Sequence, residues 1–157
     1  MLKSEESWIG PYQVRFLLES CLEVDARHNP PDNPSAYFVS QFTWQSFPTI
    51  DCVPLYVGGI TGDSPRFRTR IGDLLADAFG FYNHDNPRIG HSSGGQSIHS
   101  WCSKYHVVPL DLYIAWIGQT DCHRCLEFNL HCFWDAELRK AGRKLLNRRT
   151  PPECPDH

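Results

Sequence analysis

The stretch Leu55–Leu75, LYVGGITGDSPRFRTRIGDLL, constrains this chain more than any other. Leu55, Val57 and Ile60 suit a buried strand, and Gly58 and Gly59 inside it let backbone or ligand approach closely. Thr61 to Pro65 make a polar turn, and past Pro65 the residues Ile71, Leu74, Leu75 and Ala78 recur at helical spacing. Arg66 and Arg70 then fall one turn apart on a common side, near Tyr56. A guanidinium offers a fixed fork of donors and cannot lose its charge, so this strand–turn–helix unit suits grasping a phosphodiester.

The elements around that unit follow from periodicity and breakers. A helix is expected over about 11–27, with Pro11 in its first turn and Val14, Leu17, Leu18, Cys21 and Leu22 on one face. His28 to Ser35 is a proline-rich loop, and Ala36 to Thr43 reads as a strand. Leu55 to Ile60 gives the second strand and Asp111 to Gly118 the third. The helix after Pro65 ends near Gly80, a polar loop spans Tyr82 to Gly95, and a short helix covers Ser97 to Tyr105. The last long helix is Cys125 to Ala141, followed by an extended tail, about 148–157. These elements imply one domain over 1–157 of the α/β class, a small three-stranded mixed or antiparallel sheet flanked by helices.

No run of about 18 apolar residues exists, so no membrane span is expected, and the acidic N-terminus does not suit a signal peptide. The expected location is cytoplasmic. The net charge of −3 argues against a uniformly nucleic-acid-binding surface, but the charges are segregated. Glu5, Glu6, Glu19, Glu23 and Asp25 load one end with acid; Arg139, Lys140, Arg143, Lys144, Arg148 and Arg149 load the other with base. That basic run is either a solvated helix face or, with Arg66, Arg68 and Arg70, a phosphate-facing patch.

The order Ala36-Tyr37-Phe38, then Tyr56-Val57-Gly58, Arg70, Glu127 and Asn147 resembles the GIY-YIG nuclease superfamily from about Ala36 to Asn147. LYVGGI followed by FRTRIGDLL is the most specific part of the resemblance. It implies a metal-dependent endonuclease hydrolysing phosphodiesters in DNA, with RNA left open and with double-strand cleavage requiring either a second subunit, as in a homodimer, or a second encounter. Tyr37 would be the general base and Tyr56 its partner around the attacking water. Arg70 would neutralise the scissile phosphate, Glu127 would anchor one Mg2+ or Mn2+, and Asn147 would steady the site. Two departures stand out. The gap between Tyr37 and Tyr56 is longer than in compact members, and Leu74 occupies a position that is often histidine. In an alternative register Arg66 is the catalytic arginine and Arg70 takes the histidine's place. A phenol with ordinary pKa about 10 is a weak base unless a cation and the arginine lower it.

Seven cysteines, an odd number, without a secretion signal make a disulfide framework unexpected. Cys122-x-x-Cys125 and Cys154-x-x-His157 are two chelating hooks of the kind a structural tetrahedral zinc requires, tying the tail to the helix that carries Glu127. Buried thiols and a redox CxxC are the other readings. Cys102, His123 and Cys132 are fallback ligands, while Cys21 and Cys52 read as core or loop thiols. The loop from His91 to His99, HSSGGQSIH, suits a turn capped by Ser93 or Ser97, with His91 or His99 as accessory substrate contacts beside Arg66, Arg68, Arg143 and Arg148. Two rivals remain. One is a zinc-stabilised nucleic-acid-binding module with a degenerate nuclease site; the other is a redox or zinc-storage protein.

Overall fold

The strand Pro54–Gly59 (β3) has its backbone groups engaged on both edges, and the rest of the architecture can be built out from it. A computed structural model describes residues 8–20, 30, 33, 35–60, 66–86, 90, 92–118 and 120–154. The expectations placed on Cys21, Leu22, the turn from Thr61 to Pro65, His91 and His157 lie outside the described residues. On one side β3 pairs antiparallel with Ala36–Ser40 (β2), placing Tyr37 opposite Gly58 and Val39 opposite Tyr56. On its other side the Leu146 amide donates to Leu55 O at 2.7 Å. The Asn147 carboxamide completes the edge: its Oδ1 accepts from Val57 N at 3.2 Å and its Nδ2 donates to Val57 O at 2.7 Å. One side chain thus imitates a neighbouring strand and satisfies both backbone groups of Val57.

The sheet has four strands, not three. Trp8–Gln13 (β1) and Tyr113–Ile117 (β4) join it in the order β1-β4-β2-β3, with every pairing antiparallel. The expected helix over 11–27 therefore begins only at Val14 and is described as Val14–Ser20 (α1). Pro11 misled the reading because proline fits a helix's first turn and an edge strand alike. β1 is an edge strand, and its register shifts between Ile9 and Tyr12. Gly10 sits at that shift with φ +98°, and a Cβ there would lie 3.0 Å from Ile114 O. Of the expected apolar face, Val14 and Leu17 are buried, whereas Leu18 is exposed.

Alternation along the central strands divides the core into two layers. Tyr37, Val39, Ile114 and Trp116 face one side, where they meet α1 together with the helices Phe67–Ala78 (α2) and Ser93–Tyr105 (α3). Ala36, Phe38, Val57, Ala115 and Ile117 face the other, covered by Leu126, Leu130, Trp134 and Leu138 of the helix His123–Lys140 (α4). None of the helices in the described residues is long and apolar enough to cross a membrane.

α3 starts four residues before the expected Ser97, and its cap is Ser92 rather than Ser93 or Ser97. Ser92 Oγ accepts from Gly95 N at 3.2 Å, and the Ser92 amide donates to Asp77 Oδ2 at 2.7 Å. Asp77 is fully buried on α2, so its carboxylate braces the positive end of α3 from the neighbouring helix. The Gly94–Gly95 pair reads as a loop but is helical, because α3 packs too tightly there for side chains. A Cβ on Gly95 would lie 2.7 Å from Asp77 Cβ and would also overlap Leu74 O.

Asn147→Ala leaves the Val57 N–H and C=O without partners, and about 2–4 kcal/mol of stability should be lost. Urea denaturation measures this. A variant within about 0.5 kcal/mol of the parent would mean the edge is not held by this side chain.

Candidate active site and thiol cluster

Gly58 lies directly across from Tyr37 and two residues from Tyr56 on the same face. Because Gly58 has no side chain, the two rings pack over it, their centroids 6.1 Å apart and their planes 29° from parallel. A Cβ at Gly58 would overlap the Tyr37 hydroxyl and come within 2.8 Å of Tyr56 Cε1. From the other side Gly94 of α3 faces Tyr56, and a Cβ there would overlap that ring as well. The neighbouring Gly59 points toward α4, where a Cβ would lie 2.5 Å from Glu127 Oε2 and 3.2 Å from Ser35 O. Three glycines thus clear the space in which two tyrosines and one glutamate meet at the end of β3.

The two tyrosines differ in access. Tyr37 is 2% exposed, closed in by Phe67 at 5.9 Å, and its hydroxyl donates to that of Tyr56, which is only partly buried. Burial pushes the Tyr37 phenol well above its ordinary value; Tyr56 and Glu127 add to the rise and Arg70 opposes it. Burial also raises Tyr56, with Glu127 contributing, while Arg70 and the hydrogen bond from Tyr37 pull the other way. Glu127 is pushed up to about 7 by burial, against the attraction of Arg70. Its carboxylate accepts no hydrogen bond from any described residue.

Arg70 projects exposed from the first turns of α2, and its charge acts on Tyr37, Tyr56 and Glu127 together. Arg66 precedes the helix, its carbonyl accepting from Arg70 N at 2.9 Å. Leu74 is buried in the core beside Ile71.

The other expected contacts scatter. Arg68 Nε donates to Pro30 O at 2.9 Å, which ties α2 to the loop before β2. His99 pairs through Nδ1 with Ala78 O at 3.2 Å and packs against His84 and Tyr82, away from the tyrosine pair. Asn147 commits its carboxamide to Val57. Arg148 reaches Ser97 Oγ at 3.2 Å and Gln96 Oε1 at 3.5 Å, while Arg143 is exposed. The close approach of Gly94 to Tyr56 and the brace from Asp77 had no local signature, since both depend on how α2 and α3 pack.

Cys122, Cys125 and Cys154 converge, their Sγ atoms all within 4.8 Å of one another, and the cluster could hold a metal ion. Cys122 caps α4, with Cys125 N donating to its sulfur at 3.3 Å. Its sulfur lies 2.9 Å from Cys125 Sγ and 3.5 Å from Cys154 Sγ, both well beyond the about 2.05 Å of a disulfide. The hydrogen bond with the Cys125 side chain holds Cys122 below its ordinary value, and that same contact pushes Cys125 up to about 12. Of the fallback ligands, Cys102 is buried among the α3 contacts and Cys132 is exposed on α4, both outside the cluster. His123 carries a buried Nε2 with no hydrogen-bond partner among the described residues.

Glu127 makes the stability of the metal-free protein fall with pH. A carboxyl raised from an unfolded value near 4.5 to about 7 favours folding fully below the lower value. That contribution disappears as pH rises through the upper one. Glu127→Gln should remove this slope and be about 2–3 kcal/mol more stable than the parent at pH 8 in EDTA. Parallel stability curves for the two proteins between pH 5 and about pH 8 would show that Glu127 is not held protonated by burial.

No protein family, curated protein or solved structure matches the chain in any of the three comparisons.

Proposed function

We propose that the chain is a metal-dependent endonuclease of GIY-YIG type, hydrolysing phosphodiester bonds in DNA. The observation that carries this reading is the meeting of Tyr37, Tyr56, Arg70 and Glu127, from four separate elements, around the glycine-lined end of β3. Chance packing rarely places a phenol pair, a guanidinium and an underbonded carboxylate together, and perturbed groups of this kind mark functional sites.

In this reading Arg70 grips a non-bridging oxygen of the scissile phosphate, offsetting the charge that grows there during attack. Tyr56 is the phenol that reaches solution, so it orients the attacking water. Tyr37 behind it donates a hydrogen bond and fixes the direction of the Tyr56 lone pair. Water attacks phosphorus and gives up a proton to solvent by way of the Tyr56 hydroxyl, the bond to the leaving oxygen breaks, and that oxygen takes a proton from solvent, so that a phosphate monoester and a hydroxyl remain. Glu127 would hold the Mg2+ or Mn2+ ion, which supplies charge neutralisation to the leaving oxygen. Since Glu127 must lose its proton to do so, proton and metal compete for it, and cleavage at limiting metal rises with pH. Asn147 acts from behind, keeping β3 straight under Tyr56.

The thiol cluster is read as a structural zinc site. Around a tetrahedral zinc with Zn–S of about 2.3 Å, sulfurs stand about 3.8 Å apart, so the Cys122 sulfur, 2.9 and 3.5 Å from its two neighbours, would have to draw back to admit the ion. His123, like Cys102 and Cys132, stands outside the three-thiol group, and His157, outside the described residues, would complete the set. The ion would pin the tail to the first turn of α4, one turn before Glu127. Cys154→Ser should lower zinc content and melting temperature together; full zinc by elemental analysis would return these cysteines to simple packing.

The decisive assay is nicking of supercoiled plasmid with Mg2+, Mn2+ or EDTA, beside Glu127→Gln. Metal-dependent nicking, lost in the variant although the variant is folded, is the expected result. Equal nicking by both proteins would sink the site. No nicking by either would favour the nucleic-acid-binding module with a degenerate nuclease site.

A further inference from the structure

A cleft of about 990 Å³ runs between α3 and the segment after α4, beyond the tyrosine pair. One wall carries Trp101, Lys104 and Tyr105 of α3, and the other carries Arg143, Lys144 and Arg148. Four cations and no carboxylate stand among its lining residues, although acidic residues outnumber basic ones in the chain, 18 to 15. None of the four forms an ion pair with a described residue; Arg148 meets only the neutral Ser97 and Gln96. The positive charge is therefore left to whatever enters.

The aromatic pair gives the cleft a second property. Trp101 and Tyr105 lie one turn apart with ring centroids 5.1 Å from each other, and Lys104 Nζ sits 5.0 Å from the centre of the Tyr105 ring. Tyr105 is 54% exposed and Trp101 is half-buried against the core, so one ring is anchored and the other presented. Flat rings beside a line of cations form the combination that holds unpaired bases and their phosphates at once. A duplex would gain little from the rings, because its bases already stack on one another.

Position links the cleft to the site. Its near end is formed by Ser97 and Asn147; Asn147 is bonded to Val57, and Gly94, on the preceding turn of α3, abuts Tyr56. Its far end is Tyr105, eight residues along α3, or about 12 Å at 1.5 Å per residue. At about 3.4 Å per stacked nucleotide that length takes about three nucleotides.

We infer that this cleft binds an unpaired nucleic-acid strand of about three nucleotides, with phosphates along Arg143, Lys144 and Arg148 and bases stacked at Trp101 and Tyr105. The inference deepens the nuclease reading by describing the substrate as one with a single-stranded segment beside the scissile phosphate. Binding itself requires no hydrolysis.

Fluorescence anisotropy in EDTA with labelled oligothymidine of about 12 nucleotides tests it, beside oligouridine and a duplex of the same length. The single strand should bind more tightly than the duplex. Tyr105→Ala should weaken it roughly tenfold, and the double change Arg143→Glu with Lys144→Glu roughly a hundredfold, with a shallower salt dependence. Preference for oligouridine makes the strand RNA and the reverse makes it DNA; either supports the cleft. Unchanged single-strand affinity in both folded variants, or duplex binding equal to the single strand, would overturn it. Plasmid nicking is scored separately. Nicking with unaltered binding in the cleft variants removes only the cleft, and cleft-dependent binding without nicking removes only the nuclease.

Discussion

The backbone of β3 is the constraint on which the other features depend. Its Val57 amide and carbonyl face what would be an open edge, and the Asn147 carboxamide closes that edge as a strand would. The bonds from Leu146 and Asn147 hold the basic segment against the edge of the sheet, so that segment and the sheet are mechanically one piece. The same strand carries Tyr56 on one face and presents Gly59 to α4 on the other. A shift in β3 would therefore disturb the phenol pair, the carboxylate and the basic cleft together.

Glycine does the spatial work at the site. At Gly58, Gly59 and Gly94 the missing side chain lets a functional group occupy the space a Cβ would fill. This explains how Tyr37, deep in the core, can reach Tyr56 with its hydroxyl, and how Glu127 can lie over the strand end. The site is also unfavourable in its own right, because burial raises a carboxyl and two phenols away from their charged forms. Keeping a carboxyl half-buried with no hydrogen-bond donor among the described residues costs stability. Arg70 offsets part of that cost by acting on all three groups.

Two braces support this arrangement from outside it. Asp77 anchors the start of α3 across the helix interface and so sets where Gly94 meets Tyr56. The thiols at the start of α4 gather Cys154 from the tail one turn before Glu127. Both place a group near the site by fixing a helix end, the part of a helix with unpaired backbone groups to hold.

The sequence by itself determined the middle of the fold. Short runs of apolar, aromatic and β-branched residues located β2, β3 and β4, helical spacing located α2, and the resemblance singled out Tyr37, Tyr56, Arg70 and Glu127 by their order along the chain. It also singled out the thiols, because CxxC at a helix start is a local pattern. β1 was missed because Pro11 and Gly10 break its alternation, and pairing with β4 is a contact between distant segments. The start of α3 was missed because two glycines lower helix propensity; tight packing on α2 and the Ser92–Asp77 brace override it. Only the tertiary structure decided that the Arg70 charge acts on both phenols, that Asn147 serves the backbone, and that Trp101 and Lys104 share a cleft with Arg143. Local patterns are written in neighbouring residues, whereas these placements depend on how strands and helices from distant parts of the chain pack together.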